Sequence, residues 1–99
     1  MLDIREGDQG EIILSGRFDA SQEAKAAAFF QGVTGSRVLD FKDLEYISSA
    51  GLGTLLSVQK RLGKAGDELK IINANKHIRD VFLYSGLSRI FEIDAAPSS

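Results

Sequence analysis

Two adjacent serines, Ser48 and Ser49, stand just ahead of Ala50, Gly51, Leu52 and Gly53. A hydroxyl in such a place has two uses. It can cap a helix by accepting a hydrogen bond from a free backbone N–H, or it can accept a phosphoryl group. An apolar run at 38–41 leads through a short polar link into the serines, and beyond them the chain turns amphipathic with helical spacing. Glycine inside a helix costs about 1 kcal/mol relative to alanine, so two in the first turn call for a reason. A helix start without bulky side chains leaves its N–H groups open to another backbone, a phosphate or a protein partner. Gly51 and Gly53 are therefore read as permissive backbone beneath a docking partner, with close packing of helix on strand as the plainer alternative.

Other side chains offer less. Asp19 is most simply a helix N-cap. Asp40 and Asp43 flank the end of the 38–41 strand and have the chemistry to cluster with Asp19, though loop carboxylates are usually just solvated. His77 is the only histidine, has no companion ligand and reads as solvated. Lys60, Arg61 and Lys64 read as a solvated helix end. No Gly-x-Ser-x-Gly elbow and no carboxylate pair placed for acid–base work accompany Ser49, so a serine hydrolase is poorly supported and the expectation is a protein that is not an enzyme. Gly51 to Gly53 lacks the lysine and full glycine pattern of a phosphate-binding loop. No cofactor and no metal site are expected.

The composition bounds the chain to one small domain. Ninety-nine residues, 43% apolar and 26% charged, suffice for one modest core. A net charge of −2 argues against general nucleic-acid binding. No apolar run of membrane-spanning length occurs, which excludes direct insertion by a helix. The start of the chain alternates apolar and charged residues, unlike a signal peptide. Zero cysteines suit a reducing cytosol, so the expected location is cytoplasmic.

The elements that must position the serines follow from periodicity. Leu2 and Ile4 alternate with charges, the stretch 7–10 is a turn, and 11–18 is a second strand, which together predict a β-hairpin. Gly16 inside that strand points to a bulge or a close backbone approach. Asp19, with Gln22 three residues on, resembles a capping box opening a helix over 20–31, in which Ala24, Ala27, Ala28 and Gln31 share a face suited to packing on a sheet. The second helix follows Ser49, with Leu52, Leu55, Leu56, Gln59 and Leu62 near one face. A strand at 68–73 comes next. Asn75 caps a third helix whose core positions are Ile78, Val81 and Phe82, ended by Gly86. Leu87, Ile90, Phe91 and Ile93 form a helical turn and a short strand. The order β-β-α-β-α-β-α-β predicts an α/β fold: a small mixed sheet with mostly parallel pairing and one antiparallel hairpin strand. A single domain is expected over 1–94, with a frayed tail at 95–99.

In three places the chain resembles the STAS domain, whose compact bacterial members are anti-sigma factor antagonists. They are 14–19 (Leu14, Ser15, Gly16, Arg17, Phe18, Asp19), the turn 46–53, and 78–87 with its Ile78, Arg79, Asp80 and closing Gly86 and Leu87. The resemblance runs from about Leu2 to Ile93 and implies helices packed mainly on one face of the sheet. It implies a switch in which an anti-sigma factor kinase phosphorylates a Ser or Thr at the start of the second helix. The unphosphorylated domain then captures that kinase and so releases a sigma factor.

One departure bears on the switch rather than the fold. The well-known members read Asp, then Ser, then Ser or Thr, directly before Gly-Leu-Gly. Here those positions hold Ser48, Ser49 and Ala50, so the acid is missing and the last position has no hydroxyl. Ser49 is the expected phosphoacceptor and Ser48 the second choice, while an N-cap role is the plainer reading of Ser49. The expected partner surface comprises Asp19, Ser48, Ser49, Ala50, Gly51 and Gly53. The resemblance places Asp19 near the turn, where it would shape the phosphoacceptor pocket or carry the kinase's Mg²⁺. The alternative, favoured by Ala50, is a non-phosphorylated STAS adaptor in an ABC-type lipid transport or larger signalling complex. A monomer or weak dimer is expected.

Overall fold

The computed structural model describes residues 1–95. It contains a five-stranded sheet in the order β1-β2-β3-β4-β5, formed by β1 (Leu2–Glu6), β2 (Ile12–Phe18), β3 (Arg37–Ile47), β4 (Leu69–Ala74) and β5 (Glu92–Ala95). The hairpin pair β1 and β2 is antiparallel, and the other three pairings are parallel. Three helices connect the parallel strands: α1 (Glu23–Gln31), α2 (Ser49–Gly63) and α3 (Lys76–Ser85). The mixed sheet with its antiparallel hairpin and three crossovers is the α/β architecture expected from the element order.

Strand register builds the core. Ile12 pairs with Leu39, Leu39 with Ile71 and Ile71 with Ile93. Paired residues share a face, so these four make one inward row, and the first three are fully buried. The neighbouring row, Arg5, Ile13, Asp40 and Ile72, points to the other face. Phe82 of α3 meets Phe91 edge-on at 5.5 Å and Phe41 at 6.4 Å, which closes the core under the last helix.

Gly16 fulfils both parts of its reading. The β2–β3 register shifts on either side of it, and its φ of +93° is one that side chains rarely adopt. An ideal Cβ there would stand 2.3 Å from the Met1 carbonyl oxygen, which accepts a hydrogen bond from the Arg17 N–H at 2.9 Å.

Three details differ from the sequence reading. First, β3 does not stop at residue 41 but runs to Ile47. The supposed polar link is strand, and the two register shifts against β2 disrupt the alternation that would have shown it. Second, Asp19 caps a 3₁₀ turn over Ala20–Gln22 rather than α1 itself, which begins only at Glu23. Gln22 makes no capping box; its Oε1 accepts from the Leu2 N–H at 3.2 Å. That irregular turn rotates α1, so Ala26 and Phe30 face the core while Ala24, Ala27, Ala28 and Gln31 stay exposed. Third, Val58 joins Leu52, Leu55 and Leu62 in the core in place of Leu56, which is half-buried. The tail expected to fray falls on 96–99, outside the described residues, and Ala95 pairs with Ala74.

Gly16→Ala is expected to lower the unfolding free energy by about 2 kcal/mol or more, because strain at positive φ adds to a backbone clash. Urea denaturation checks this; a loss under about 0.5 kcal/mol would mean that the hairpin relaxes around the methyl group.

Candidate functional site

The start of α2 is fastened from two sides. Ser48 lies in extended backbone, and its N–H donates to the Phe18 carbonyl oxygen at 2.8 Å, pinning the turn to the end of β2. Its own carbonyl accepts from the Leu52 N–H at 2.9 Å. Its Oγ accepts from the Gly51 N–H at 3.1 Å and is therefore the cap. The capping role suggested for Ser49 thus belongs to Ser48. Ser49 is the first residue of α2, is exposed, and among the described residues nothing hydrogen-bonds its hydroxyl. Of the two hydroxyls, Ser48's is committed to the helix and Ser49's is free for chemistry.

The paired glycines have different reasons to be there. A Cβ on Gly51 would meet Ile47 Cγ1 at 2.8 Å, the Phe18 carbonyl oxygen at 3.0 Å and the Phe18 ring at 3.1 Å. Gly51 is required for α2 to lie against β2 and β3. A Cβ on Gly53 would meet nothing within 4 Å, and Gly53 is exposed. Among the described residues no contact asks for glycine at position 53.

Asp19 follows Phe18 directly, so its carboxylate leaves the backbone at the same corner. That carboxylate accepts from the Ser21 hydroxyl and, at 3.0 Å, from the Ser21 N–H. The Ser21 hydroxyl bond, with help from the Ser21 N–H and the charges of the N-terminal ammonium and Arg17, holds Asp19 below its ordinary value. Arg17 itself stacks over the Tyr46 ring at 4.4 Å, on the strand ends that border the turn.

The remaining candidates lie elsewhere. Asp40 is no loop carboxylate: it is nearly buried within β3 and accepts from the Lys42 N–H at 2.9 Å and from Asn73 Nδ2 at 3.0 Å. Asp43 is exposed and pairs in register with Ser15. Among the described residues no group of three or more His, Asp or Glu side chains is arranged to hold a metal ion. His77 is exposed in the first turn of α3. Arg61 is more than a solvated cation, since it donates to the Phe30 and Val33 carbonyl oxygens at 2.7 and 3.0 Å and closes the C-terminal end of α1.

Sequence reasoning missed a groove of about 420 Å³ between α1 and α2. Phe30 and Val58 line it, together with the small residues Ala27, Ala50, Gly53 and Ser57. The spacing 50, 53, 57 on one helix was the available signal. It was hidden because those positions lie beside, not on, the apolar stripe.

Three comparisons bear on this site. The chain matches the family described as "Mlab, STAS domain" over residues 2–92. The chain belongs to the STAS domain family. Over 56 residues it is 45% identical to the Bordetella bronchiseptica protein named "Putative anti-sigma factor antagonist BtrV", a match covering 57% of this chain and 48% of that protein. The chain thus spans about half the length of that relative. In fold, this STAS domain is similar to a Thermotoga maritima protein described in the same terms, with a TM-score of 0.78 and 19% identity over 99% of this chain and 89% of that one. It is also similar to the Bacillus cell fate determinant SpoIIAA in its phosphorylated form, with a TM-score of 0.61 and 23% identity over 99% and 94% of the two chains. Among the described residues no helix is long and apolar enough to cross a membrane.

Within each pair, the two serines and the two glycines of this STAS domain are expected to respond differently. Ser48→Ala should cost about 1 kcal/mol of stability through loss of the cap, whereas Ser49→Ala should stay within about 0.5 kcal/mol of the parent. Gly51→Ala should destabilise through the clash with Ile47 and Phe18, and Gly53→Ala should stabilise by up to about 1 kcal/mol. Paired denaturation curves check both; equal effects within either pair would contradict this geometry. For Asp19, Ser21→Ala should move the carboxyl back up toward its ordinary value in an NMR pH titration. Because Asp19 is lowered in the fold, its ionised form favours folding at neutral pH, and that contribution fades as pH falls through the folded-state value. The stability difference between wild type and Asp19→Asn should therefore shrink below about pH 4.

Proposed function

We propose that this STAS domain is an anti-sigma factor antagonist: a non-enzymatic cytoplasmic module that captures an anti-sigma factor kinase and is released when that kinase phosphorylates Ser49. The observation that carries the reading is the free, exposed hydroxyl of Ser49 at the first position of α2, beside a neighbour whose hydroxyl is already used. The names of similar proteins support the same direction, including a fold neighbour described in a phosphorylated form.

Electrostatics explains how a small modification would act as a switch. A phosphoryl group adds a charge of about −1.5 to −2. On Ser49 it would sit at the positive end of the α2 dipole, open to water, where the domain tolerates it. A partner packed over Ser49, Ala50 and Gly53 would have to bury that charge. A penalty of about 3 kcal/mol already weakens binding more than 100-fold. Bare backbone at Gly53 lets a partner come close, and Asp19 shapes the neighbouring wall at the end of β2. In this reading Ser48, Ala50 and Gly51 set the shape of the surface, while Ser49 carries its state.

One observation favours a second reading. Position 50, immediately before the glycine, is alanine and carries no acceptor. That suits a STAS adaptor working without phosphorylation in a transporter ATPase or larger signalling complex.

Incubation of the full chain with a purified anti-sigma factor kinase and ATP, followed by mass spectrometry, separates the two. The expected result is one phosphate on Ser49, absent from Ser49→Ala and retained in Ser48→Ala. Affinity for the kinase should fall more than 100-fold on modification, with the melting temperature moving by only a few degrees. Unmodified wild-type protein that still binds a transporter ATPase would overturn the switch in favour of the adaptor.

A further inference from the structure

The groove between α1 and α2 has a direction written in charge. Its two helices run the same way, because the last turns of α2 reach the end of α1 through Arg61. At the end near Ser49 the walls are Ala50 and Gly53. At the far end lies Arg61, held by two carbonyls, and the exposed Lys60 and Lys64, outside the lining itself, belong to the same last turn of α2 and its C-cap. Among the described residues Glu23 is the one carboxylate lining the groove, and it stands in the first turn of α1. The floor, Phe30 and Val58, is apolar.

Small residues on both walls allow another helix to approach to the short end of the usual 8–10 Å range. From Ala50 to Arg61 the groove extends about 16 Å at 1.5 Å per residue, which accommodates about three turns. Charge complementarity then fixes the occupant. Carboxylates belong opposite Lys60, Arg61 and Lys64. Acidic residues are also favoured at a helix's own N-terminus, so that end of the visitor belongs at the basic end. The visitor's C-terminal carbonyls then face the start of α2, where N–H groups are positive.

Resting on the reading of the α2 start as a partner surface, we propose that this groove receives an amphipathic helix of the protein partner, acidic in its first turn and antiparallel to α2. A large apolar side chain of that helix fills the space above Gly53, between Ala27 and Ser57. The arrangement also gives phosphorylation a definite target. A phosphate on Ser49 would stand against the visitor's C-terminal carbonyls and turn an attractive end into a repulsive one.

The test is a displayed library of 12-residue helical peptides selected on the full chain, with winners measured by fluorescence anisotropy. Enriched peptides should carry Asp or Glu in the first turn and apolar residues at helical spacing. Lys64→Glu and Gly53→Trp should each weaken them at least tenfold. Lys64 and Gly53 are exposed, so both variants should keep the parent circular dichroism and a single cooperative melting transition. Winners that are basic, or acidic only at their C-termini, would overturn the proposal, as would affinities indifferent to both substitutions. A concentration-dependent dimer of the unmodified chain, broken by Gly53→Trp, would assign the groove to a second copy and also overturn it. The assay contains neither kinase nor ATP, so its failure leaves phosphorylation of Ser49 standing, and the reverse holds too.

Discussion

The seating of α2 against the end of β2 is the constraint on which the rest of the site depends. Ser48 donates to the Phe18 carbonyl, and Gly51 leaves no room there for even a methyl group. Once Gly51 faces inward, the 100° step of the helix turns Leu52, Leu55, Val58 and Leu62 inward as well. The same step puts Ser49 and Gly53 outside and leaves Ala50 and Arg61 on the flank toward α1. The exposure of Ser49 is thus a consequence of packing, not a separate feature. So is the groove, since the residues that line it are those left over when the apolar stripe is buried.

This arrangement separates the stability of the domain from the state of its surface. The hydroxyl that holds the helix together is Ser48's, and it is internal to the turn. The neighbouring hydroxyl bears no structural load, so its chemistry can change without unfolding anything. A helix start suits a negative group, because unpaired N–H groups and the helix dipole both favour it. The consequences of a modification at Ser49 would therefore fall on whatever is packed over the turn.

Much of this was legible in the sequence, for identifiable reasons. The hairpin, the capping Asn75, the closing Gly86 and the core of α3 each carried a local signal: a turn, a cap or a left-handed glycine. Gly16 announced its close approach because strands rarely hold glycine without cause. The corner around Ser48 and Ser49 was legible as a pair, but not the division of labour within it. Which serine caps depends on where the strand stops, and β3 stops at Ile47, six residues beyond its apparent end, after two register shifts that blur the alternation. The face of α1 was unreadable for a related reason. Alanines occur on nearly every side of it, so only Phe30 could fix its rotation, and the 3₁₀ turn ahead of it set the phase. Arg61 looked like a solvated cation because its carbonyl partners lie some thirty residues earlier in the chain.

What the account claims at its centre is that partners meet this domain across the first turn of α2 and the flank of α1 beside it. Hydrogen exchange of the full chain, free and saturated with its protein partner, reads that surface directly. The account predicts slowed exchange in 48–54 and 23–31, with the outward face of the sheet unchanged. Protection centred on β1 or on the face bearing Ile13 and Ile72, with the amides of Gly51 to Thr54 exchanging as before, would contradict it.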